Sequence, residues 1–156
     1  MQGRMKQHQL TAEEISDVLA KAEVGRIATI NEGGYPYVVP VHFVCLADKI
    51  YIHGLRKGLK ISNLEKNNKI GFEVDEMHGL LVDQEKVCDT NTAYRSVIIL
   101  GTAKTIDEVA VKTEVLKAVI QKFTPGLAHL EFPEKMLKAT GIIEITIQEC
   151  TGKYYK

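Results

Sequence analysis

The stretch His53-Gly54-Leu55-Arg56-Lys57-Gly58-Leu59-Lys60 sets one imidazole and three cations within eight residues, and no acid follows until Glu65. It joins an apolar run at Lys49–His53 to a helical pattern that extends to about Glu65. Cations are disfavoured at the start of a helix, where the backbone dipole is positive. The same dipole, with the free N–H groups of the first turn, accepts a phosphate. The turn is therefore either a solvated basic surface, which charge alone favours, or the seat of a cofactor phosphate.

Two other stretches place polar groups inside apolar patterns. Val39-Pro40-Val41-His42 offers a strand backbone to a flat ring, and Tyr94-Arg95-Ser96-Val97 opens an apolar strand with a lone cation and a hydroxyl. Each has a plain structural reading as well. Val39 to Val41 fit a core, Arg95 fits a snorkelling surface residue, and His53 fits a satisfied strand histidine. Periodicity does not show that the three stretches meet. No GxSxG elbow, GxxxxGK[ST] loop or strand-linked GxGxxG is present, and no CxxC or i, i+4 histidine pair. A metal would have to gather His42, His53, His78 and Cys88 from separate elements, so no metal site is expected. His78, Cys88 and Asp89 read as a polar loop with one thiol.

The elements that must position these residues alternate in hairpin order. Thr11-Ala12-Glu13-Glu14 is a capping box that starts a helix running to about Glu23. Strands are expected at Arg26–Ile30, Tyr37–Val44, Lys49–His53, Lys69–Asp75, Tyr94–Ala103 and Gly141–Glu149. A short strand at Gly79–Val82 is a weaker expectation. The Tyr37–Val44 strand is apolar on both faces and reads as covered on both, with Pro40 demanding an edge or a bulge. In the last strand Ile143, Ile145 and Ile147 read as inward and Glu144, Thr146 and Gln148 as outward. Asp107–Phe123 is a second amphipathic helix, and a short one is expected near Pro133–Lys138. With no βαβ rhythm the sheet should be antiparallel, and a small barrel with peripheral helices removes its exposed edges.

Length and composition bound the rest. The 156 residues fit one domain, expected over residues 11–156 behind a flexible leader at 1–10. Twenty Lys and Arg balance twenty Asp and Glu, so no global charge draws the chain to nucleic acid or an anionic membrane. No apolar run reaches the length of a membrane span, and no secretory h-region opens the chain. Three scattered cysteines suit a reduced, cytoplasmic setting.

A resemblance links the three stretches. Val24-Gly25-Arg26-Ile27-Ala28-Thr29, Gly34-Tyr35-Pro36-Tyr37-Val38-Val39-Pro40-Val41, Ile50-Tyr51-Ile52-His53-Gly54 with Gly58-Leu59-Lys60, and Phe72-Glu73-Val74-Asp75 stand in the order and spacing of one family. Cys88-Asp89, Tyr94-Arg95-Ser96-Val97-Ile98 and Thr151-Gly152-Lys153 complete the set. The pattern resembles the FMN-binding split-barrel proteins related to pyridoxamine 5′-phosphate oxidase, in the branch of the nitroimidazole-resistance flavoproteins. The resemblance implies a mainly β fold, a six-stranded antiparallel split barrel that forms a homodimer with FMN at the subunit interface. The implied cofactor-binding set is Val39, Pro40, Val41, His42, Ile52, His53, Lys60, Arg95 and Ser96. Lys60 would meet the phosphate, His53 the ring or phosphate tail, and the backbone of Val39–Val41 the ring edge. Arg95 and Ser96 match a segment that contacts the flavin, from the same subunit or from the other. Related sequences often carry arginine where this chain has Leu59, so Arg56 or Lys57 is the substitute charge to look for.

The function so implied is that of an FMN-dependent oxidoreductase acting on a small aromatic or nitro-aromatic compound, with His53 and Tyr94, and also Tyr51, as candidate catalytic groups. Pyridoxamine phosphate oxidation itself is not expected, because the tryptophan- and arginine-bearing C-terminal region of such oxidases has no match here. Alternatives are a non-catalytic FMN or haem protein, with His42, His53 or His78 as axial ligand, and a deazaflavin F420 binder.

Overall fold

The computed structural model describes residues 7–156. Helix α1 spans Ala12–Lys21, α2 Leu59–Lys66, α3 Val109–Phe123 and α4 Glu134–Ala139. The strands are β1 (Val24–Ile30), β2 (Pro36–Leu46), β3 (Lys49–Leu55), β4 (Lys69–Leu81), β5 (Asn91–Ile106) and β6 (Thr140–Tyr155). They close in the order β1-β2-β3-β6-β5-β4, and every pairing is antiparallel. This is the six-stranded barrel with peripheral helices that the strand pattern predicts.

Inside the barrel, alternate residues of each strand meet: Ile27, Phe43, Ile50, Ile52, Phe72, Val74, Val97, Ile99 and Ile145 are all buried. Val18 and Leu19 of α1, with Ile61 and Leu64 of α2, close this core from the ends. Phe72 meets Phe43 edge to face at 5.1 Å and fills the space above Gly25, where an added Cβ would lie 2.1 Å from its ring. The capping box forms as read, with Thr11 and Glu14 each accepting the other's backbone N–H.

A second apolar cluster lies outside the barrel wall, where α3 and α4 cover β2, β3 and β6. Val44, Tyr51, Ile106, Val115, Leu116, Leu137 and Ile142 form it. It alters one expectation: Glu144 faces outward from the barrel as expected, yet it is buried, because the wall it stands on is roofed by helices. Its carboxylate accepts a hydrogen bond from Tyr51 at 2.9 Å and lies 3.0 Å from the Lys49 ammonium.

Four further features differ from the sequence reading. β4 does not stop at Asp75 but runs on through the expected Gly79–Val82 segment to Leu81, with a bulge between Met77 and Gly79. Beyond the barrel there is no core to impose apolar alternation, so the pattern fades while the β5 pairing continues. β6 likewise runs past Glu149 to Tyr155. The outer face of β2 is not covered: Val38 is 55% exposed, and Pro40 and His42 are exposed too. It continues across the sheet through two registered rows, Val38–Ala28–Gly71–Leu100 and Pro40–Arg26–Glu73–Ile98. Finally, the expected leader is docked at its inner end. Tyr154 donates to the His8 carbonyl, Leu10 donates to that of Gly152, and the Leu10 side chain joins the core. Residues 1–6 of that leader lie outside the described residues. Among the described residues, no helix is long and apolar enough to cross a membrane.

Candidate functional site

The barrel opens between β2 and β3. Their pairing runs only from Leu46↔Lys49 to Phe43↔Ile52, after which β2 stays with β1 and β3 with β6. Pro36 to His42 therefore have no strand partner on the β3 side. That resolves Pro40, which lacks an N–H and sits in the one stretch of β2 that borders a free edge. His42 and His53 are the first residues past the last β2–β3 pair, one on each lip of the split.

Behind the split stands α2. Its N-cap is Gly58 at φ +136°, a backbone that side chains rarely adopt, and no side chain caps the helix. Its first turn carries no acid. The helix is fixed from below by a buried relay in which Asn63 donates to the Thr29 hydroxyl at 3.0 Å. Lys60, half-buried in the first turn, makes no ion pair or hydrogen bond among the described residues, and burial lowers its pKa. His53 is held below the ordinary histidine range by burial first, then by the nearby His42 and Lys60. Its Nδ1 is buried without a hydrogen-bond partner. A lone half-buried cation, an orphaned imidazole nitrogen and an uncapped helix start thus share one mouth. Each is a group that an anion would satisfy.

The other predicted residues distribute as follows. Val39 and Val41 turn half-buried side chains against the core, leaving only their backbone for a ligand, and Ile52 lies wholly inside the barrel. His42 is exposed and stacks on Phe123 at 4.7 Å, a contact between distant elements that local spacing does not signal. Arg56 is not free to replace the missing cation at Leu59. Its guanidinium donates to the Lys138 carbonyl at 2.9 Å and pairs with Asp107 at 2.9 Å, tying the turn to α4. Lys57 is exposed and has no partner among the described residues.

Tyr94, Arg95 and Ser96 are not brought to this mouth within one chain. His53 pairs with Ile142 on β6 and Arg95 with Tyr154, twelve positions further on. At a strand rise of 3.3 Å that is about 40 Å along β6. Arg95 donates to Asp17 of α1 at 3.5 Å, and the Ser96 hydroxyl is buried without a partner. Tyr94 and Arg95 line a separate pocket of about 240 Å³ with His78, Tyr154 and Tyr155. Among the described residues, no group of three His, Cys, Asp or Glu converges as metal ligands would.

A family model described as pyridoxamine 5′-phosphate oxidase matches residues 11–154. The chain belongs to this family. Solved structures of similar fold include a flavocytochrome, Anf3, from Azotobacter vinelandii (25% identity, covering all of this chain and 72% of that one, TM-score 0.87). An FAD and haem binding protein from Mycobacterium smegmatis is 24% identical over 96% of this chain and 74% of its own, with a TM-score of 0.86. A protein described as conferring 5-nitroimidazole antibiotic resistance, from Bacteroides thetaiotaomicron, is 20% identical over 93% and 85%, with a TM-score of 0.82. No curated protein matches the chain significantly by sequence. In this pyridoxamine 5′-phosphate oxidase family member, Lys60, the orphaned Nδ1 of His53 and the uncapped start of α2 stand together at the split between β2 and β3, a set that fits a phosphate-bearing group.

Proposed function

We propose that the protein is an FMN-binding flavoprotein whose phosphate site is the β3–α2 turn, and that it works as an oxidoreductase on a small aromatic or nitro-aromatic compound. The observation that carries this reading is Lys60, a half-buried ammonium with no acid beside it, next to the unpartnered Nδ1 of His53. Burying an unpaired cation is costly, and a phosphate held by Lys60 and the first N–H groups of α2 repays that cost. His53 lies at the lip of the split and donates to the phosphate tail or the ring edge. The free edge of β2 at Val39–Val41 offers backbone groups to the ring. When bound, the flavin supplies the redox chemistry, and the protein supplies binding, orientation and electrostatics.

The working unit in this reading is a homodimer. The Tyr94–Ser96 segment stands too far along the barrel to serve the mouth of its own chain, so it serves a second copy's. The outer face of Val38, Ile98 and Leu100 is exposed, apolar and flattened by Ala28 and Gly71, which suits a two-fold contact. The similar flavocytochrome and haem-binding folds, with His42 and His53 adjacent at the split, favour haem as the second reading.

The visible spectrum of the purified protein, with its ligand identified by mass, separates these. Flavin bands, or their appearance on reconstitution with FMN, are expected. A Soret band with iron and no flavin would replace FMN by haem, and no uptake of either would sink both readings. Sedimentation of the same sample tests the dimer.

A further inference from the structure

Two exposed features of opposite character stand at opposite ends of the barrel. Past Met77↔Tyr94 the β4–β5 ribbon leaves the wall and pairs to Leu81↔Asn91, about 10 Å beyond Tyr94 at strand spacing. Its tip exposes Leu80 (61%), Val82 (59%) and Val87 (88%). The loop that closes it, residues 82–90, carries Asp83, Glu85 and Asp89 against Lys86 alone. At the other end, the β3–α2 turn exposes Leu55 (82%) and Leu59 (51%) among cations, with Lys57 unpaired among the described residues. One surface is apolar and acidic, the other apolar and basic. A two-stranded ribbon with bare apolar residues gains little from water, which makes a cover for it favourable.

We infer that the tip of the β4–β5 hairpin in one copy docks on the β3–α2 turn of a second copy, with Leu80 and Val87 against Leu55 and Leu59, and Glu85 facing Lys57. The inference rests on the two-copy site proposed above and follows from its geometry. If Tyr94 and Arg95 of one copy reach the mouth of the other, the hairpin paired to Tyr94 through Met77 is carried past that mouth onto the turn. The contact is isologous and so occurs twice per dimer. It seals the phosphate end of each site from water. Leu59, exposed at the start of α2, is in this arrangement a seat for the partner's tip.

The native thiol of Cys88, exposed at the tip, makes the contact testable. Leu55→Cys and Leu59→Cys are made separately in the FMN-loaded full chain and oxidised mildly. A covalent dimer is expected on a non-reducing gel in at least one, and it disappears when Cys88→Ser is added. Independently, Lys57→Glu should weaken dimerisation about tenfold by sedimentation, since each pair occurs twice, and adding Glu85→Lys should restore it. A flavin-loaded dimer that gives neither cross-link nor charge rescue overturns the docking and leaves the two-copy site standing. A monomeric flavoprotein overturns both.

Discussion

Glu144 and Lys60 are both charged side chains withdrawn from bulk water on the same barrel, and they are treated in opposite ways. Glu144, on β6 beneath α3 and α4, is surrounded: Tyr51 donates to it at 2.9 Å, and Lys49 and Lys104 lie at 3.0 and 3.4 Å. Desolvation, the largest single influence, pushes its pKa up, but the hydrogen bonds from Lys49 and Tyr51 together outweigh it and hold the carboxyl below its ordinary range. Tyr51, desolvated and bonded to that carboxylate, is pushed up to about 12. Lys60 has no such company, and burial alone lowers its pKa. A fold that sets two ammoniums and a phenol around one withdrawn charge and leaves another bare has not run short of partners. The first is part of the scaffold; the second waits for something from outside.

Replacing each residue should separate the two roles, and the larger effect falls on the scaffold. Glu144→Ala leaves the Tyr51 hydroxyl buried without its acceptor and removes the counter-charge of Lys49. Breaking a buried ion pair from one side costs roughly 3–5 kcal/mol. Here about 2–3 kcal/mol is expected, because Lys49 and Lys104 can turn toward water. Urea unfolding reads this loss directly, and FMN affinity in the folded protein should fall by less than the stability does, because Glu144 bonds Tyr51 and Lys49 and makes no bond to His53 or Lys60. An affinity loss larger than the stability loss would make Glu144 part of the site and collapse the comparison.

Lys60→Ala should show the mirror image. A charged hydrogen bond to phosphate is worth roughly 1.5–3 kcal/mol, so FMN affinity should fall about 10- to 150-fold in a fluorescence titration. Stability without ligand should hold or rise slightly, since a half-buried unpaired charge has been removed. A drop in the melting temperature of the ligand-free protein would mean that Lys60 is held by the fold after all.

Much of this contrast is legible in the residues themselves. The capping box, the antiparallel barrel and the basic turn all follow from local types and spacing. Two of the misreadings share one cause. Glu144 sits at an outward position of β6, and nothing within the strand announces that α3 and α4 will roof it. Arg56 lies among the cations of the turn, yet Asp107 and the Lys138 carbonyl, both remote in sequence, have already engaged it. The Phe123 ring beneath His42 and the Asn63–Thr29 relay are likewise meetings of distant elements. Strand alternation reports which face a residue occupies, not what tertiary packing later lays over that face.

The smallest effect, and the finest test of the comparison, concerns His53. Burial, then His42 and Lys60, depress its pKa, so in the ligand-free protein the neutral imidazole is favoured. A group of this kind lends the fold stability that is present above its unfolded value near 6.5 and is lost as pH falls through the lower folded value. A phosphate placed beside Nδ1 reverses the local sign, because a nearby anion favours the protonated ring. Binding should therefore draw a proton onto His53, and FMN affinity should strengthen as pH falls from about 8 to about 6.5. The phosphate's own ionisation near pH 6 works the other way, because a cationic site favours the dianion and so releases its proton. The decisive quantity is thus a difference. Titration calorimetry in buffers of unlike ionisation enthalpy should find more protons taken up by the native protein than by His53→Gln, whose affinity should be lower by less than about tenfold. Equal uptake in the two proteins would return His53 to the role of a plain strand histidine and leave Lys60 as the only unsatisfied group at the mouth that answers to the phosphate.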